Sequence, residues 1–228
     1  ADIHQLYISS NHIKQWMAVV NSRAVAPEVI DRLKFVSHQG TFFLNNKKLV
    51  CKGTTSTHIG ALKESISYDN SHLQAKVEAH GFDIGMLLNV KPQLGQISGS
   101  IEATGKLKPS CSLNFRSHIN RLALNHHVFG KIHLNGTYTP QFLDAKLNVS
   151  DVGLDMDLQG KYAFGSANQL NAQADIRQLN PKVFGLDKYF SGNSVSAKIF
   201  ADVQGQSPTL VGTASIRRFK MHENGREY

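Results

Sequence analysis

Cysteine is scarce in this sequence: its 228 residues hold only Cys51 and Cys111, which lie far apart and fit neither a disulfide framework nor a metal-ligand spacing. Pairing of the two is not expected, and the redox compartment stays open. Long apolar runs are missing too. No stretch approaches the ~18 uninterrupted apolar residues of a membrane-crossing helix, and no basic, then apolar, then small-residue leader opens the chain. The chain begins with Ala1 rather than Met, and residues 2 to 9 read like the middle of a structured region, so a processed product or an internal piece of a longer protein is expected. Charge of one sign is thin as well. Lys and Arg total 25 against 17 Asp and Glu, a formal charge of +8, but the basic residues are scattered singly and identify no acidic partner. The aromatic residues fall mostly on apolar faces or at turns, not on the basic-flanked platforms where nucleic-acid bases stack, so no nucleic-acid partner is expected. At 41% hydrophobic and 18% charged, the chain is too apolar to be disordered.

Catalytic signatures are equally absent. There is no G-x-S-x-G elbow, P-loop, post-strand G-x-G-x-x-G or H-E-x-x-H helix. Eleven histidines invite a metal reading, and His118, His126, His127 and His133 form the densest group. Adjacent histidines on a strand point to opposite faces, however, and no carboxylate or Cys spacing completes a site there. Asp151, Asp155 and Asp157 lie among apolar residues in the pattern of a solvated sheet face, and Lys47-Lys48 and Arg217-Arg218 read as charges that blunt strand edges. Neither catalytic residues, a metal nor a cofactor is expected, and the chain reads as non-enzymatic.

What is present is periodicity. Ile13, Trp16, Met17 and Val20 recur at helical spacing behind Ser9, Ser10 and Asn11, which predicts a capped amphipathic helix at about 11–21. Pro27, with Val29, Ile30 and Leu33 behind it, predicts a second helix, so residues 1–36 read as a helical hairpin or repeat boundary. From about residue 37 the period becomes 2 and stays there almost to the end, broken by Gly, Asn and Asp turns. Leu73, Ala75, Val77 and Ala79 alternate with polar residues, as do Ile97, Gly99, Ile101 and Ala103; the same parity runs on through residue 216. Roughly ten strands with short connections result, suited to antiparallel pairing of sequence neighbours. Strands around Ala75–Gly81 lead through a helical segment starting at Asp83 to a strand ending on Gly105. Those around Ala172–Arg177 lead through another starting at Asn180-Pro181 to a strand ending on Gly205. Such repetition, approximately residues 60–125 and 153–222, favours an array over a closed globule.

Serial strands of alternating apolar residues ending on Gly resemble a known family. The residues that carry this are the run from Phe115 to Tyr138 (FRSHINRLALNHHVFGKIHLNGTY), that from Val152 to Gly160 (VGLDMDLQG) and that from Ala174 to Leu186 (ADIRQLNPKVFGL). They resemble the TamB-like proteins of the translocation and assembly module, within the wider AsmA-like group, and especially the long Bacteroidetes-type versions. The resemblance covers nearly the whole chain after residue 36. The family's N-terminal membrane anchor and C-terminal domain have no counterpart here, as an internal segment would have it. The resemblance implies a mainly β fold: an elongated, curved antiparallel repeat sheet with a β-taco-like hydrophobic groove, small capping helices and a periplasmic location in an inner-membrane-anchored envelope protein. It also implies outer-membrane biogenesis through phospholipid transport, assembly or secretion of outer-membrane proteins, and an Omp85-type barrel partner reached through other parts of the parent chain.

The physics can be set beside that implication. An apolar face repeated over about ten strands has to be covered by a second sheet, by helices or by an apolar ligand, and helices are too few. Ten strands side by side would span roughly 50 Å. Phospholipid acyl chains would leave water for such a groove at ~0.8 kcal/mol per methylene, without directional bonds to hold them in one place. The candidate groove residues are Leu73, Val77, Ile97, Ile101, Leu113, Phe115, Ile132, Leu134, Leu147, Leu158, Ile176, Ile199, Val203 and Ile216. Small inward residues, Gly99, Ala103, Gly136, Ala145, Ala174, Ala197, Ala201 and Gly212, would give the groove width, or would pack tightly against a facing sheet in a closed sandwich. A third reading is a scaffold that takes a strand from a client protein at an open sheet edge. A transmembrane barrel fits less well, because paired aromatic girdles are absent.

Overall fold

The alternating pattern forms antiparallel strands throughout, and the protein is mainly β. The computed structural model describes residues 2–6, 35–45, 48–90, 93–125, 127–165, 168–186, 194–206, 209–223 and 226–227. The helices expected at about 11–21 and behind Pro27 lie outside these residues. The opening of that segment is not helical: Asp2–Leu6 is a strand, β1, paired with the strand that follows the undescribed stretch.

Two compact units are present, Ala1–Leu113 and Asn114–Tyr228. In the first, β1 is followed by β2 (Phe35–Leu44), β3 (Lys48–Thr57), β4 (Gly60–Asp69), β5 (His72–Asp83) and β6 (Leu94–Lys106), each antiparallel to its sequence neighbour. The second unit takes most of β7 (Ser112–Leu124), then β8 (His127–Phe129), β9 (Ile132–Tyr138), β10 (Phe142–Ser150), β11 (Leu154–Ala163), β12 (Asn168–Leu179), β13 (Ser194–Gln206), β14 (Thr209–Glu223) and β15 (Arg226–Glu227). Its spatial order is β7-β9-β10-β11-β12-β13-β14-β15, with β8 folded back on β7.

Short turns fix the registers. Between β4 and β5, Asn70 and Ser71 both have positive φ, 45° and 77°, as a two-residue hairpin turn matched to strand twist requires. Between β9 and β10 the Thr139 hydroxyl accepts from the backbone N–H groups of Gln141 and Phe142 at 3.2 and 3.1 Å. The helical segments expected from Asp83 and from Asn180-Pro181 are present and capped. In α1 (Ile84–Leu88) the Asp83 carboxylate accepts from Met86 N at 2.8 Å. In the 3-10 turn Pro181–Phe184 the Asn180 side chain accepts from Lys182 N at 3.1 Å. Each is little more than one turn, because Asn89 and Gly185 end them in the left-handed conformation. Parity does not run unbroken along every strand. Irregular registers occur between Ala79 and Phe82, Asp155 and Met156, Ile176 and Leu179, and Ser196 and Lys198. At the first of these, Gly81 is the extra residue, and it brings Phe82 onto the face of Ile97, where Phe82 is buried.

The second unit has a core of its own at one end of its sheet. Phe129, Ile132 and Val149 are buried there and packed by Ile119, Leu122, Leu124, Leu147, Leu154, Met156, Val183 and Phe184. Asp151, in the β10–β11 turn, ties this end together: its carboxylate accepts from Gly153 N at 2.8 Å and Gly130 N at 3.1 Å, and His127 Nε2 lies 2.6 Å away. Partial burial pushes the Asp151 carboxyl upward, but the two backbone N–H groups and His127 outweigh it and hold the carboxyl below its ordinary value. A carboxyl depressed in this way contributes stability above its unfolded value of about 3.9, and that contribution is lost as pH falls through the folded value. Asp151→Ala is therefore expected to cost about 2 kcal/mol at neutral pH in urea denaturation. The gap to wild type should shrink toward about pH 3, and a gap equal at both pH values would show that the carboxylate's charge is not what holds the turn.

Candidate functional site: the apolar face

The strand registers turn the parity of single strands into rows that cross each unit. In the first unit Leu73, Ala75 and Val77 lie between Tyr68, Ile66 and Glu64 on β4 and Gly105, Ala103 and Ile101 on β6. In the second unit three consecutive rows share a face. Leu134, Leu147, Leu158, Ala174, Ile199 and Ile216 form the first. Gly136, Ala145, Gly160, Ala172, Ala201 and Ala214 form the next. Tyr138, Leu143, Tyr162, Leu170, Val203 and Gly212 form the third.

The middle row carries no atom beyond Cβ over six strands, while both neighbouring rows carry mostly large apolar side chains. This is a trough running across the strands, about 24 Å long from first strand to last, with walls about 14 Å apart. At Gly136 the floor admits nothing larger: a Cβ there would meet the Asp144 carbonyl oxygen at 2.2 Å and Phe115 Cζ at 2.7 Å, whereas one at Gly160 would meet Ala172 Cβ at 3.3 Å. Phe115 thus lies over Gly136 and closes the β9 end.

Of the fourteen candidate groove residues, only Ile132 is buried, in the core described above. Ile101 and Ile216 are 45% and 61% exposed, and the others are half-buried. Leu134, Leu147, Leu158, Ile199 and Ile216 come together in one wall, and Val203 stands in the other. Ile176 lies one row further out, beside Met156 and Ala197. Among the small residues read from the sequence, Gly136, Ala145 and Ala201 belong to the floor, whereas Ala174 and Gly212 are gaps in the walls. Gly160, Ala172 and Ala214 complete the floor, and only the hairpin registers show it.

The opposite face is polar. Arg177 forks onto Asp155 and Asp157, Asn148 donates to Asp157 at 2.7 Å, and Lys198 pairs with Asp175 at 2.8 Å. Asn148 and then Arg177 hold the Asp157 carboxyl below its ordinary range, so it stays ionised near neutral pH and is a poor general acid. Shallow hollows of about 530 and 430 Å³ lie over this face in the second unit, among Lys146, Gln159, Gln173 and their neighbours. Of the histidines singled out in the sequence, His118 and His133 meet on the exposed side with rings tilted by 60° and Nδ1 atoms 3.1 Å apart, His127 is turned to Asp151, and His126 lies outside the described residues.

One polar cluster interrupts the apolar face of the first unit, and no single strand's pattern announced it. His38, Thr55 and Glu64 are all buried there. His38 Nδ1 stands 2.8 Å from Glu64 Oε1 and 3.0 Å from Thr55 Oγ1, and the Thr55 hydroxyl donates to the same carboxylate oxygen at 2.6 Å. Cys51 is a free thiol with Sγ 3.9 Å from Glu64 Oε1. Burial and then the Glu64 carboxylate push that thiol up to about 12, so it is no nucleophile near neutral pH.

Comparison with models of protein families, with curated proteins and with solved structures found no match to this chain. Among the described residues, no helix is long and apolar enough to cross a membrane.

Exposure separates the face from a core. Ile101→Asp and Ile216→Asp are expected to cost under about 1 kcal/mol, because both side chains already meet solvent. Ile132→Asp, which buries an unpaired charge, should cost about 4 kcal/mol or more. Urea denaturation of the three variants checks this, and an Ile101 variant as unstable as the Ile132 one would make the face an ordinary core.

Proposed function

We propose that the chain is a non-catalytic segment of a TamB/AsmA-like envelope protein that shields lipid acyl chains along its apolar face, in transport toward the outer membrane. The observation that carries this reading is the trough: a floor of Gly and Ala between two apolar walls, open enough that the wall residues stay half-exposed. Its length of about 24 Å exceeds the ~15 Å that one leaflet's acyl chains occupy in a bilayer of ~30 Å hydrocarbon thickness. Each methylene laid in it would leave water at ~0.8 kcal/mol. Because the floor repeats at every strand, successive positions offer nearly equal burial, and a chain held this way slides rather than docks. A continuous β-taco, periplasmic placement and an Omp85-type partner belong to the same proposal.

A second reading rests on β14. Positions 211–220 are exposed along its whole middle, with Val211 at 65% and Phe219 at 50%, which suits capture of a client strand by edge pairing.

Native mass spectrometry with lipid extraction, on the chain purified without detergent from a bacterial host, decides between them. Co-purified phospholipid that is lost in Ala172→Phe, which fills the floor, and in Leu158→Asp, which charges a wall, supports the conduit. A lipid-free wild-type chain that also takes up no fluorescent acyl probe overturns it. Strand capture would appear instead as peptide binding sensitive to proline at Thr213 or Ser215.

A further inference from the structure

We propose that His38, Cys51 and Glu64 form a binding site for a zinc-like divalent cation that staples β2, β3 and β4 to one another. The three residues follow one another at intervals of thirteen, one hairpin apart, on three successive strands. The register makes their meeting possible. Glu64 lies opposite Gly53, and Gly53 lies opposite Gly40, so two successive positions on its row carry no side chain. A Cβ at Gly40, where φ is +149°, would meet the Lys52 carbonyl oxygen at 2.0 Å, and one at Gly53 would meet the Gln39 carbonyl oxygen at 2.1 Å. Across that gap the Glu64 side chain passes over β3 and reaches His38 on β2. Two hydrogen-bonded strand spacings, about 9.6 Å, are thereby bridged by a carboxylate and an imidazole.

The set has the chemistry of a borderline-soft cation: one sulfur, one imidazole nitrogen and one carboxylate oxygen, with donor atoms within 4.8 Å of one another. Tetrahedral bonds of about 2.0–2.3 Å place donors about 3.3–3.8 Å apart, so small side-chain adjustments bring all three to one centre. Independently of that grouping, the cluster leaves two buried polar atoms without partners. Glu64 Oε2 and His38 Nε2 have no hydrogen bond, although His38 is fully enclosed and Glu64 is 8% exposed. A carboxylate with one oxygen crowded by three neighbours and the other bare is poorly satisfied by hydrogen bonding alone, and a cation beside it supplies both the missing ligand and the missing charge. Three protein ligands leave the fourth tetrahedral position to a water molecule or to the Thr55 hydroxyl, which lies 2.6 Å from Glu64 Oε1.

The test uses the whole chain, stripped with a chelator and titrated with Co2+ and then Zn2+. Expected are one Co2+ per chain, a thiolate-to-cobalt charge-transfer band with the intense visible bands of four-coordinate cobalt, and displacement by Zn2+. Cys111→Ser should leave the band intact, which assigns it to Cys51 without relying on a Cys51 variant. Glu64→Gln and His38→Gln should weaken binding by ~100-fold or more, and zinc should raise the urea midpoint of wild type but not of Cys51→Ser. A wild-type chain that shows no charge-transfer band overturns the site. So does a band lost with Cys111→Ser, or cobalt binding that persists unchanged in Glu64→Gln.

Discussion

Most strands in either unit pair with their neighbours in sequence, many of them across tight turns, so one quantity matters above others: hairpin register. A one-residue slip in any hairpin would turn every following side chain to the other face. Among the described residues the helical segments are α1 and one 3-10 turn, and they do not set the faces. The turn residues therefore matter out of proportion to their number. Asn70 and Ser71, with positive φ, and the Thr139 hydroxyl do for the rows what core packing does in a globular domain.

Register also explains why the units bury little. A face of half-covered Leu, Ile and Ala is unfavourable in water unless something lies on it, and among the described residues cover is supplied at few places. The end of the second unit is one: Phe129, Ile132 and Val149 are enclosed by β8, the 3-10 turn and their neighbours, with Asp151 fastening the corner. Further along the same strands the side chains shrink to the Gly and Ala of the floor, where Phe115 lies over Gly136. The contrast lies within single strands. Leu147 packs against the core and also forms part of the trough wall, so the closed end and the open face are built on one framework.

The sequence made the strands, their faces and both capped turns readable, because period-2 alternation and cap residues are local signals. Leu73, Val77, Leu134, Leu158 and Ile199 lie on the faces that parity assigned them. The rows were not readable in the same way. Whether Ala172 lies beside Gly160 or beside Leu158 depends on how the β11–β12 hairpin closes, which no single strand reveals. Ala174 illustrates the difference: it is as small as Ala172, yet it lies in the row of a wall. The polar cluster escaped for the same reason. Cys51 offers no ligand partner at any local spacing, and its neighbours in space come from one hairpin before and one hairpin after. The interval of thirteen shared by His38, Cys51 and Glu64 was the available signal, and it acquires meaning only once each hairpin is known to close tightly.

The trough and the cluster put one device to opposite uses. In both, small residues at facing positions remove side chains from a row of the apolar face. In the second unit the vacated row is flanked by Leu, Tyr and Ile, so the space stays apolar, and what fits it is a flexible chain with no polar group to satisfy. In the first unit the vacated positions Gly40 and Gly53 are crossed by Glu64, and the space becomes the most polar point on that face. An acyl chain could not lie over an exposed carboxylate without desolvating it, at a cost of several kcal/mol that a few methylenes at ~0.8 kcal/mol each would not offset. That penalty is avoided only where the carboxylate is already enclosed, and Glu64, His38 and Thr55 are all buried. Sealing this cluster is therefore a condition for any apolar path along the first unit, and the same enclosure gives three neighbouring strands a fixed point that uniform Leu and Ala rows do not provide.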